Sequence, residues 1–530
     1  MSNNFDFDQA PDRRDGDSHK WNKYAKAGSH VIGAWLADMD FQAPPAVIDA
    51  VQTRLHGPAL GYSEPRRELV AVILERLERL YGWVVHPSWL SLLPGVVPGL
   101  YGATRATGAS GSRVITQSPN YHHFFKAAEF SDRKLMRLDN RIVDGRWQMD
   151  FGHLEQLASE GASSLLLCNP HNPMGRILSR HELQKVADIC LKHDIVICSD
   201  EIHADILLDE DKPHIPIATL SPEVEQNTIT LISPSKAFNL PGIGSFALAI
   251  IPNPEIRKAF EKQIYGVAVH PSALAYEAGL ASYRDSQDWL SAMLDYLRGN
   301  RNFLQTRIAA IPGLSMTHVE ATFLAWVNVA QLGLDNPASF FLAHGVALSD
   351  GVEMGDPNYL RINFGCSRAT LEDLLNRMES AISILGKRDN YRGNTNMSKT
   401  TATRKEAVTK AMQAVRELAP DGAPSRERLD QVEAKLAELL KVRELFAEEY
   451  YPSPPAESPG CVYLIAEDEG CRNALYLVCA NGKADVPPHD HKTWAAIAGL
   501  SGEEENTLYQ RVGNSAEVSG KLSLKEGDTV

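Results

Sequence analysis

Short apolar runs alternate with amphipathic segments through roughly the first 390 residues of the chain. The runs are rich in β-branched residues or leucine, which is typical of buried strands. Between two of them, residues 180–193 have the three- and four-residue apolar spacing of an amphipathic helix. Strands that alternate with helices predict a mostly parallel α/β sheet covered on both faces. The clearest strand candidates are Ser164–Cys168, Ile195–Ser199, Ile229–Ser233 and Ser245–Ile251.

The periodicity changes further along this first block. Residues 271–307 have a helical pattern, and residues 314–366 alternate again, which predicts a smaller α+β lobe. We therefore expect the first block, residues 1–387, to be one two-lobed domain. Its large domain is expected at about 50–285, and its small lobe from about 1–49 together with 286–387.

A second block follows a polar stretch. Residues 388–404 have few apolar side chains and are typical of a linker, and Met397 within them resembles the start of a second protein. We infer a fusion of two reading frames. Residues 405–530 begin with helical spacing and continue as short strands between turn signals, which predicts an antiparallel sandwich or barrel.

Composition excludes several classes of protein. A net charge of −14 without a basic segment argues against nucleic acid or an anionic membrane as partner. The first twenty residues are acidic and polar, and no uncharged apolar run is long enough to span a membrane. The seven cysteines are scattered singly, several within apolar runs. We expect a cytoplasmic protein with buried, reduced thiols.

Polar residues stand directly after the predicted strands, where ligand-binding groups of open α/β sheets lie. Lys236 follows the run ITLIS, and a desolvated lysine there has a lowered pKa and can attack an aldehyde. Asp200 follows IVICS, where a buried carboxylate can keep a ring nitrogen protonated. Taken singly, Lys236 would be a solvated loop lysine and Asp200 a helix cap. Together they favour a site for an aldehyde cofactor.

Pyridoxal phosphate needs an amine for its aldehyde, a carboxylate for its pyridine nitrogen and donors for its phosphate. Asn172, in NPHNPMGR, has an amide for the phenolic oxygen, although this motif is equally typical of a turn cluster. Gly95–Gly99 precede a helix start suited to phosphate. Ser233 and Ser235 can donate to phosphate oxygens. Tyr121 can stack on the ring, or it can be a core tyrosine.

In chain order, PGVVPGL, SPNYHHFF, NPHNPMGR, SDEIH and SPSKAFNLPG resemble the motifs of the fold-type I aminotransferase superfamily. With HKWNKY, WLADMDF, GYSEP, EATFLAW and YLRINFGCSR, the chain is similar to its MalY/PatB group of cysteine-S-conjugate β-lyases, also called cystathionine β-lyases, over about residues 3–387. Aminotransferases of the superfamily commonly carry a Tyr and an Arg where this chain has His203 and Gly244. That departure favours the lyase group.

The resemblance implies a role for each residue of the site. Lys236 holds the cofactor as a Schiff base and carries protons, and Asp200 binds the ring nitrogen. Arg361 grips the substrate carboxylate with a two-pronged donor. Tyr62 reaches the phosphate from the partner subunit of a homodimer, so that Tyr62 and Tyr121 join Lys236 among the catalytic residues. Further cofactor contacts are implied for Asn172, Tyr121, Val96, Val97, Ser233, Ser235 and His203.

The reaction implied is β-elimination of a small-molecule amino acid, cystathionine or a related S-substituted L-cysteine. The products are a thiol (homocysteine from cystathionine), pyruvate and ammonia. Three alternatives stay open at this point. They are a pyridoxal-phosphate aminotransferase, a bifunctional lyase and cysteine dioxygenase, and a cofactor-binding regulatory protein.

The second block resembles the N-terminal part of a cysteine-dioxygenase-like, or thiol dioxygenase, cupin, through NALYLVCAN, PPHDHKTWA and GEEENTLYQR. His489 and His491 alternate in a strand-like stretch, so both can bind one metal, although a polar turn is the plainer interpretation. The resemblance implies Fe(II) held by three histidines. No His follows His491, and Ala496 stands where animal enzymes hold a cross-linked Cys. We expect an incomplete cupin, a fragment or inactive.

Overall fold

The computed structural model describes residues 5–14, 16–25, 28, 30–57, 61–243, 246–391, 396–419, 424–447, 451, 460–467, 473–480, 496–512 and 515–529. The chain divides into two units, Met1–Gly386 and Lys387–Val530. In chain order, the strands described in the first unit are β1 Ile32–Gly33, β2 Leu90–Leu93, β3 Arg113–Ser118, β4 Lys134–Val143, β5 Arg146–Met149, β6 Ala162–Cys168, β7 Val196–Asp200, β8 Thr228–Ile232, β9 Ala247–Ile250, β10 Ser315–Met316, β11 Leu324–Asn328, β12 Val346–Ala347, β13 Ser349–Asp350 and β14 Tyr359–Asn363.

Eight of these strands form the central sheet, in the order β2-β9-β8-β7-β6-β3-β4-β5. Strands β8, β7, β6, β3 and β4 are parallel, whereas β9 and β5 run antiparallel beside them, and β2 pairs antiparallel with β9. The four predicted strands are found as β6, β7, β8 and β9, with ends that differ by one or two residues. The structure confirms the predicted mostly parallel α/β sheet.

Helices cover the sheet on both faces. Along β6, Leu165 and Leu167 belong to one apolar cluster, while Leu166 and Cys168 belong to another on the opposite face. Burial on both faces explains why residues 165–168 of this strand are an unbroken apolar run. The helices of this unit are α1 His19–Asn22, α2 Pro45–Leu55, α3 Arg67–Tyr81, α4 Val96–Ala106, α5 His122–Glu129, α6 Phe151–Ser159, α7 Arg180–Lys192, α8 Pro222–Gln226, α9 Pro254–Ile264, α10 Ala273–Asp285, α11 Gln287–Ala310, α12 Pro337–Ala343 and α13 Arg368–Tyr391.

The predicted helix at 180–193 is α7, and its start shows why the sequence folds there. The hydroxyl of Ser179 accepts from the backbone N–H of Glu182, and the Glu182 carboxylate accepts from the N–H of Ser179. This capping box satisfies donors that the first turn of a helix otherwise leaves unpaired. The last residue assigned to the helix is Lys192.

A smaller lobe lies beside the central sheet. Its antiparallel sheet has the order β10-β11-β14-β13, and β1 from the N-terminal segment pairs in parallel with β12. The alternating residues of β11 are paired with β14, Trp326 opposite Arg361. This lobe therefore combines residues from both ends of the first unit. Its antiparallel sheet lies within residues 314–366, where the sequence pattern predicts an α+β lobe.

The second unit begins with two helices, α14 Asn396–Leu418 and α15 Arg426–Leu440. Residues 388–404, expected to be a linker, are thus largely helical where they are described, since α13 ends at Tyr391 and α14 begins at Asn396. Polarity alone does not distinguish a linker from a helix, because a solvent-facing helix is also rich in polar residues.

The strands of the second unit form hairpins. Its described strands are β15 Gly460–Glu467, β16 Ala474–Ala480, β17 Glu503–Val512 and β18 Ser515–Lys525, and each sequential pair is antiparallel. The described residues 496–500 form only a bridge, from Ala498 to Thr529. Two hairpins, rather than a complete sandwich or barrel, are seen within the described residues. No helix among the described residues could cross a membrane.

Candidate active site

Four neighbouring parallel strands deliver polar side chains to one edge of the central sheet. Lys236 follows β8, Asp200 ends β7, Asn172 follows β6 and Tyr121 follows β3. Because the strand order places β8, β7, β6 and β3 side by side, their carboxyl ends meet. They open into a cavity of about 590 Å³. Of the sequence-predicted residues, its lining includes Val96, Val97, Tyr121, Asn172, Asp200, His203, Ser235, Lys236 and Arg361.

Lys236 is held as an amine of reduced basicity. Its Nζ donates to the carbonyl of Ala37 at 2.5 Å. Burial lowers the pKa of Lys236 to about 8, against the opposing charge of Asp38, and the charge of Arg361 acts in the same direction as burial. A lysine with this pKa has a substantial uncharged fraction near neutral pH, and the uncharged amine is the form that attacks an aldehyde.

Asp200 is a buried carboxylate. Its Oδ1 accepts from the backbone N–H of Ile202 at 3.1 Å. Burial raises the pKa of Asp200 to about 7, although that hydrogen bond and the charge of Lys236 oppose the rise. A carboxylate that is costly to ionise in this position is stabilised by a cationic partner such as a protonated ring nitrogen.

Arg361 and Asn172 are joined at the other side of the cavity. Arg361 Nη1 donates to Asn172 Oδ1 at 3.0 Å, and Nη2 donates to the carbonyl of Trp35 at 2.8 Å. The buried Nε of Arg361 has no hydrogen-bond partner among the described residues. Burial lowers the pKa of Arg361 to about 10, and it remains a cation at pH 7. A buried guanidinium with an unused donor suits a carboxylate ligand.

The helix start expected to bind phosphate lies at the cavity. Val96 and Val97 open α4 and line the cavity with Gly95. Helix α4 lies close to the sheet because Gly99 has no side chain. A Cβ added there would be 2.7 Å from Leu93 Cδ1 and 3.0 Å from Leu231 Cδ2. Backbone N–H groups at a helix start are natural phosphate donors.

The two predicted serines differ in position. Ser235 lines the cavity, whereas Ser233 does not. The Ser233 hydroxyl donates to the carbonyl of Phe246 at 2.6 Å and lies 2.9 Å from Ser235 Oγ. Its backbone-directed bond holds the turn that carries Ser235. Ser233 therefore lies outside the cavity lining, with its hydroxyl directed to Phe246 and Ser235.

One buried histidine lines the cavity, and a second influences it electrostatically. His203 lines the cavity, and burial lowers its pKa to about 3. His171, which the sequence analysis did not single out, is also buried, and burial lowers its pKa to about 3. Neither His203 Nδ1 nor the ring nitrogens of His171 have partners among the described residues. Both imidazoles are therefore uncharged at pH 7.

The aromatic residues predicted for the site have different surroundings. The Tyr121 ring packs edge-on against His122, with centroids 4.5 Å apart, and burial raises the pKa of Tyr121 to about 12. Tyr121 is therefore a neutral ring at the cavity. Tyr62 is fully exposed and does not line the cavity of its own chain.

Several lining residues escaped sequence reasoning. Lys23, Tyr24 and Trp35 form part of the cavity wall, and Lys23 Nζ lies 4.1 Å from the centroid of the Trp35 ring. The backbone carbonyls of Trp35 and Ala37 contact the site cations directly. The motifs HKWNKY and WLADMDF contain these residues, but in the sequence they indicated only a family resemblance. A contact made by a backbone carbonyl cannot be recognised from the residue type, because every residue has one.

The described part of the chain contains no cluster of three or more His, Cys, Asp or Glu residues able to hold a metal. His489 and His491 lie outside the described residues, as does Gly244. Cys168, Cys190, Cys198 and Cys366 are buried and form no disulfide.

The donor set of the cavity fits pyridoxal phosphate. An amine of lowered pKa, a buried carboxylate of raised pKa and a helix start with a neighbouring hydroxyl converge on one cavity. They are the three kinds of group that this cofactor requires. Asn172 and Tyr121 also line the cavity. The amide of Asn172 suits the phenolic edge of a pyridine ring, and the ring of Tyr121 suits its face.

The chain is similar to known proteins of one family. Residues 35–378 match the family described as aminotransferase class I and II. The chain is 33% identical to cystathionine β-lyase PatB of Bacillus subtilis over 390 residues, which cover 71% of this chain and all of that protein. It is 31% identical to protein MalY of Escherichia coli over 381 residues, 69% of this chain and 96% of that protein.

Solved structures give the same result. The crystal structure of OvoB is 42% identical, with a TM-score of 0.69 over 72% of this chain and 99% of that one. Cystalysin from Treponema denticola, whose structure contains pyridoxal 5′-phosphate, is 30% identical with a TM-score of 0.69 and the same coverage. The central sheet and smaller lobe are thus those of a fold-type I transferase, and the chain belongs to the aminotransferase class I and II family.

Proposed function

We propose that the first unit is a pyridoxal-phosphate-dependent carbon–sulfur β-lyase acting on S-substituted L-cysteines, cystathionine among them. The observation that carries the proposal is the convergence of Lys236, Asp200 and Arg361 on one cavity. Relatives named cystathionine β-lyase, each matched over nearly their whole length, support the reaction class.

The chemistry is divided between the cofactor and the protein. When bound, the cofactor accepts the electron pair left at the substrate Cα. Arg361 binds the α-carboxylate, and its unused Nε and its buried position give a directional contact. Lys236 takes the Cα proton, and the thiolate leaves from Cβ. The released 2-aminoacrylate then reacts with water to give pyruvate and ammonia.

The remaining residues have positioning roles in this proposal. Asp200 keeps the ring nitrogen protonated, and Asn172 offers its amide Nδ2 to the phenolic oxygen while its Oδ1 accepts from Arg361. Val96, Val97 and Ser235 bind the phosphate, with Ser233 supporting Ser235. Tyr121 covers one face of the ring. His203 contributes an uncharged imidazole beside it.

We infer that the first unit acts as a homodimer. Tyr62 is fully exposed in the isolated chain, and the family resemblance assigns it to the phosphate of the neighbouring subunit. A tyrosine has both an apolar ring and a hydroxyl donor, which suits a buried contact with phosphate. The proposal gives no activity to the second unit, whose relation to thiol dioxygenases stays a hypothesis.

The experiment is a product assay without any added keto acid. The holoenzyme is incubated with L-cystathionine and a panel of S-substituted cysteines, and pyruvate, ammonia and thiol are measured. We expect the three products in equal amounts. Lys236→Ala should abolish them, while a matched variant of an exposed lysine, Lys192→Ala, should retain them. If the substrate is instead converted to its own keto acid, with its sulfur retained and its amino group passed to an added keto acid, the enzyme is an aminotransferase.

A further inference from the structure

An irregular segment, residues 35–41, lies against the site and contacts both of its cations through backbone carbonyls. The Trp35 carbonyl accepts from Arg361 Nη2 at 2.8 Å, and the Ala37 carbonyl accepts from Lys236 Nζ at 2.5 Å. The two acceptors are two residues apart. The separation between the cationic groups of Lys236 and Arg361 therefore depends on the conformation of this segment.

The segment does not pair with a strand. Two asparagine side chains instead form hydrogen bonds with its backbone groups. Asn239 Nδ2 donates to the carbonyls of Met39 and Phe41, both at 2.8 Å, and its Oδ1 accepts from the N–H of Met39 at 2.9 Å. Asn363 Nδ2 donates to the carbonyls of Leu36 and Asp38, both at 2.6 Å. Buried backbone groups need such partners.

The positions of these asparagines in the chain are informative. Asn239 lies three residues after Lys236, and Asn363 lies two residues after Arg361. Each site cation thus has an asparagine close to it in sequence. The amide of that asparagine is hydrogen-bonded to the same segment that the cation contacts. The two carbonyls bound by Asn363 stand on either side of Ala37, the residue whose carbonyl accepts from Lys236.

Buried charges anchor the same segment from behind. Lys20, which is 1% exposed, places Nζ 3.0 Å from Asp40 Oδ2 and 3.1 Å from the Asp38 carbonyl. The indole of Trp21 donates to Asp40 Oδ1 at 3.0 Å. Displacing the segment would leave these groups unpaired in the interior, which is costly. The segment is therefore a rigid reference rather than a loose loop.

We propose that Asn239 and Asn363 are paired positioning residues, which fix the distance between the Lys236 amine and the Arg361 guanidinium through residues 35–41. This inference rests on the roles proposed above for Lys236 and Arg361. With this distance fixed, a substrate whose carboxylate is bound by Arg361 presents its Cα hydrogen to Lys236. Small errors in such a distance are expensive, since a displacement of about 1 Å can cost about 100-fold in rate.

The test uses holoenzyme variants that remove each grip. Asn239→Gly removes the amide while suiting the backbone, because Asn239 has φ 54°, a conformation that glycine adopts freely. Asn363→Ala removes the second grip, and Asn363→Ser keeps one donor if the alanine variant fails to fold. Asn300→Ala is the matched control: Asn300 is also buried and its Nδ2 donates to two carbonyls, those of Phe364 and Cys366.

Four quantities are measured for each variant: kcat and KM for β-elimination, the dissociation constant of propionate, and the pH midpoint of the visible absorbance of the bound cofactor. Propionate has a carboxylate and no amine, so it reports on Arg361 alone. The absorbance midpoint reports on the linkage to Lys236. Both remain measurable if the enzyme transaminates, which separates failure of this inference from failure of the proposed function.

We expect each single variant to lower kcat on the order of 10- to 100-fold and to weaken propionate binding while moving the absorbance midpoint. The double variant should lose little more than either single one, because both act through one segment. Asn300→Ala should lower thermal stability alone. Multiplicative losses in the double variant, or losses confined to thermal stability as in the control, would overturn the proposal.

Discussion

At the residue scale, burial sets the chemistry of the site by acting in opposite directions on two groups. It lowers the pKa of Lys236 to about 8 and raises the pKa of Asp200 to about 7. The lysine thereby gains nucleophilicity near neutral pH, and the aspartate becomes a group that favours a cationic neighbour. Both pKa shifts lower the free energy of unfolding when the groups are charged, and this loss can be measured.

The cofactor-free protein should be stabilised by Asp200→Asn at alkaline pH. The folded-state pKa of about 7 lies above the ordinary value of 3.8, so the folded state retains a proton that the unfolded state loses. In the unsubstituted protein, the contribution of Asp200 to the free energy of unfolding therefore falls as pH rises from about 4 to about 7 and then levels off. Asparagine carries no charge, and we expect a gain on the order of 4 kcal/mol at pH 8 and almost none at pH 4.

Urea denaturation of the cofactor-free proteins at both pH values measures this difference. The exposed Asp211→Asn serves as the control and should leave the free energy of unfolding unchanged at either pH. The same Asp200→Asn protein should turn over poorly when loaded with cofactor. If Asp200→Asn changes the free energy of unfolding equally at pH 4 and pH 8, ionisation of a buried carboxylate is not the cause of the change.

Sequence reasoning reached Lys236 and Asp200 because each directly follows an apolar strand, where local pattern marks the site. Arg361 lies in β14 of the smaller lobe and is brought to the cavity by tertiary structure, so only the family resemblance indicated it. Ser233 was assigned to the phosphate through its neighbourhood to Lys236, but its hydroxyl is used by the carbonyl of Phe246. Residue type does not reveal which partner a hydroxyl takes.

At the scale of elements, the distance of helix α4 from the sheet decides where the backbone N–H groups of Val96 and Val97 lie. The absence of a side chain at Gly99 lets the helix approach Leu93 and Leu231. The strands and α7 were predictable from apolar periodicity and capping. The segment 35–41 was not, because its structure depends on amide groups more than 190 residues away in sequence.

Gly99→Val should weaken cofactor binding as well as stability. The added side chain would meet Leu93 and Leu231, and overpacking of this kind costs roughly 1–3 kcal/mol. The helix must move outward and take the N–H groups of Val96 and Val97 with it. Cofactor affinity followed by absorbance should fall, while Gly152→Val, at an exposed helical position, should change neither property. Unchanged affinity in Gly99→Val would separate the helix position from phosphate binding.

At the scale of the whole molecule, the cavity exists because two lobes of the first unit meet. The central sheet provides Lys236 and Asp200, and the smaller lobe provides Arg361. The curated relatives PatB and MalY match this unit over nearly their whole length, so the chemistry proposed needs no contribution from the second unit. The polar composition of residues 388–404 predicted a linker, whereas most of the stretch described is helical.

A dimer with shared sites predicts that two damaged proteins restore each other. When Tyr62→Phe and Lys236→Ala proteins exchange subunits, one site of each mixed dimer collects both lesions and the other collects neither. Random exchange should therefore make about a quarter of all sites intact. Activity is measured before and after exchange, with each variant exchanged against itself as control. Absence of recovery, with mixed dimers verified by distinct tags, would show that Tyr62 does not contribute to the site of the partner subunit.

The most direct measurement of the central claim is to find the residue that carries the cofactor. Borohydride reduction makes the lysine–cofactor linkage permanent, and peptide mapping by mass spectrometry then locates it. We predict a single modified peptide, containing ISPSKAFNLPG, with the adduct on Lys236. An adduct on a different lysine, or a protein loaded with pyridoxal phosphate that yields no adduct, would contradict the account.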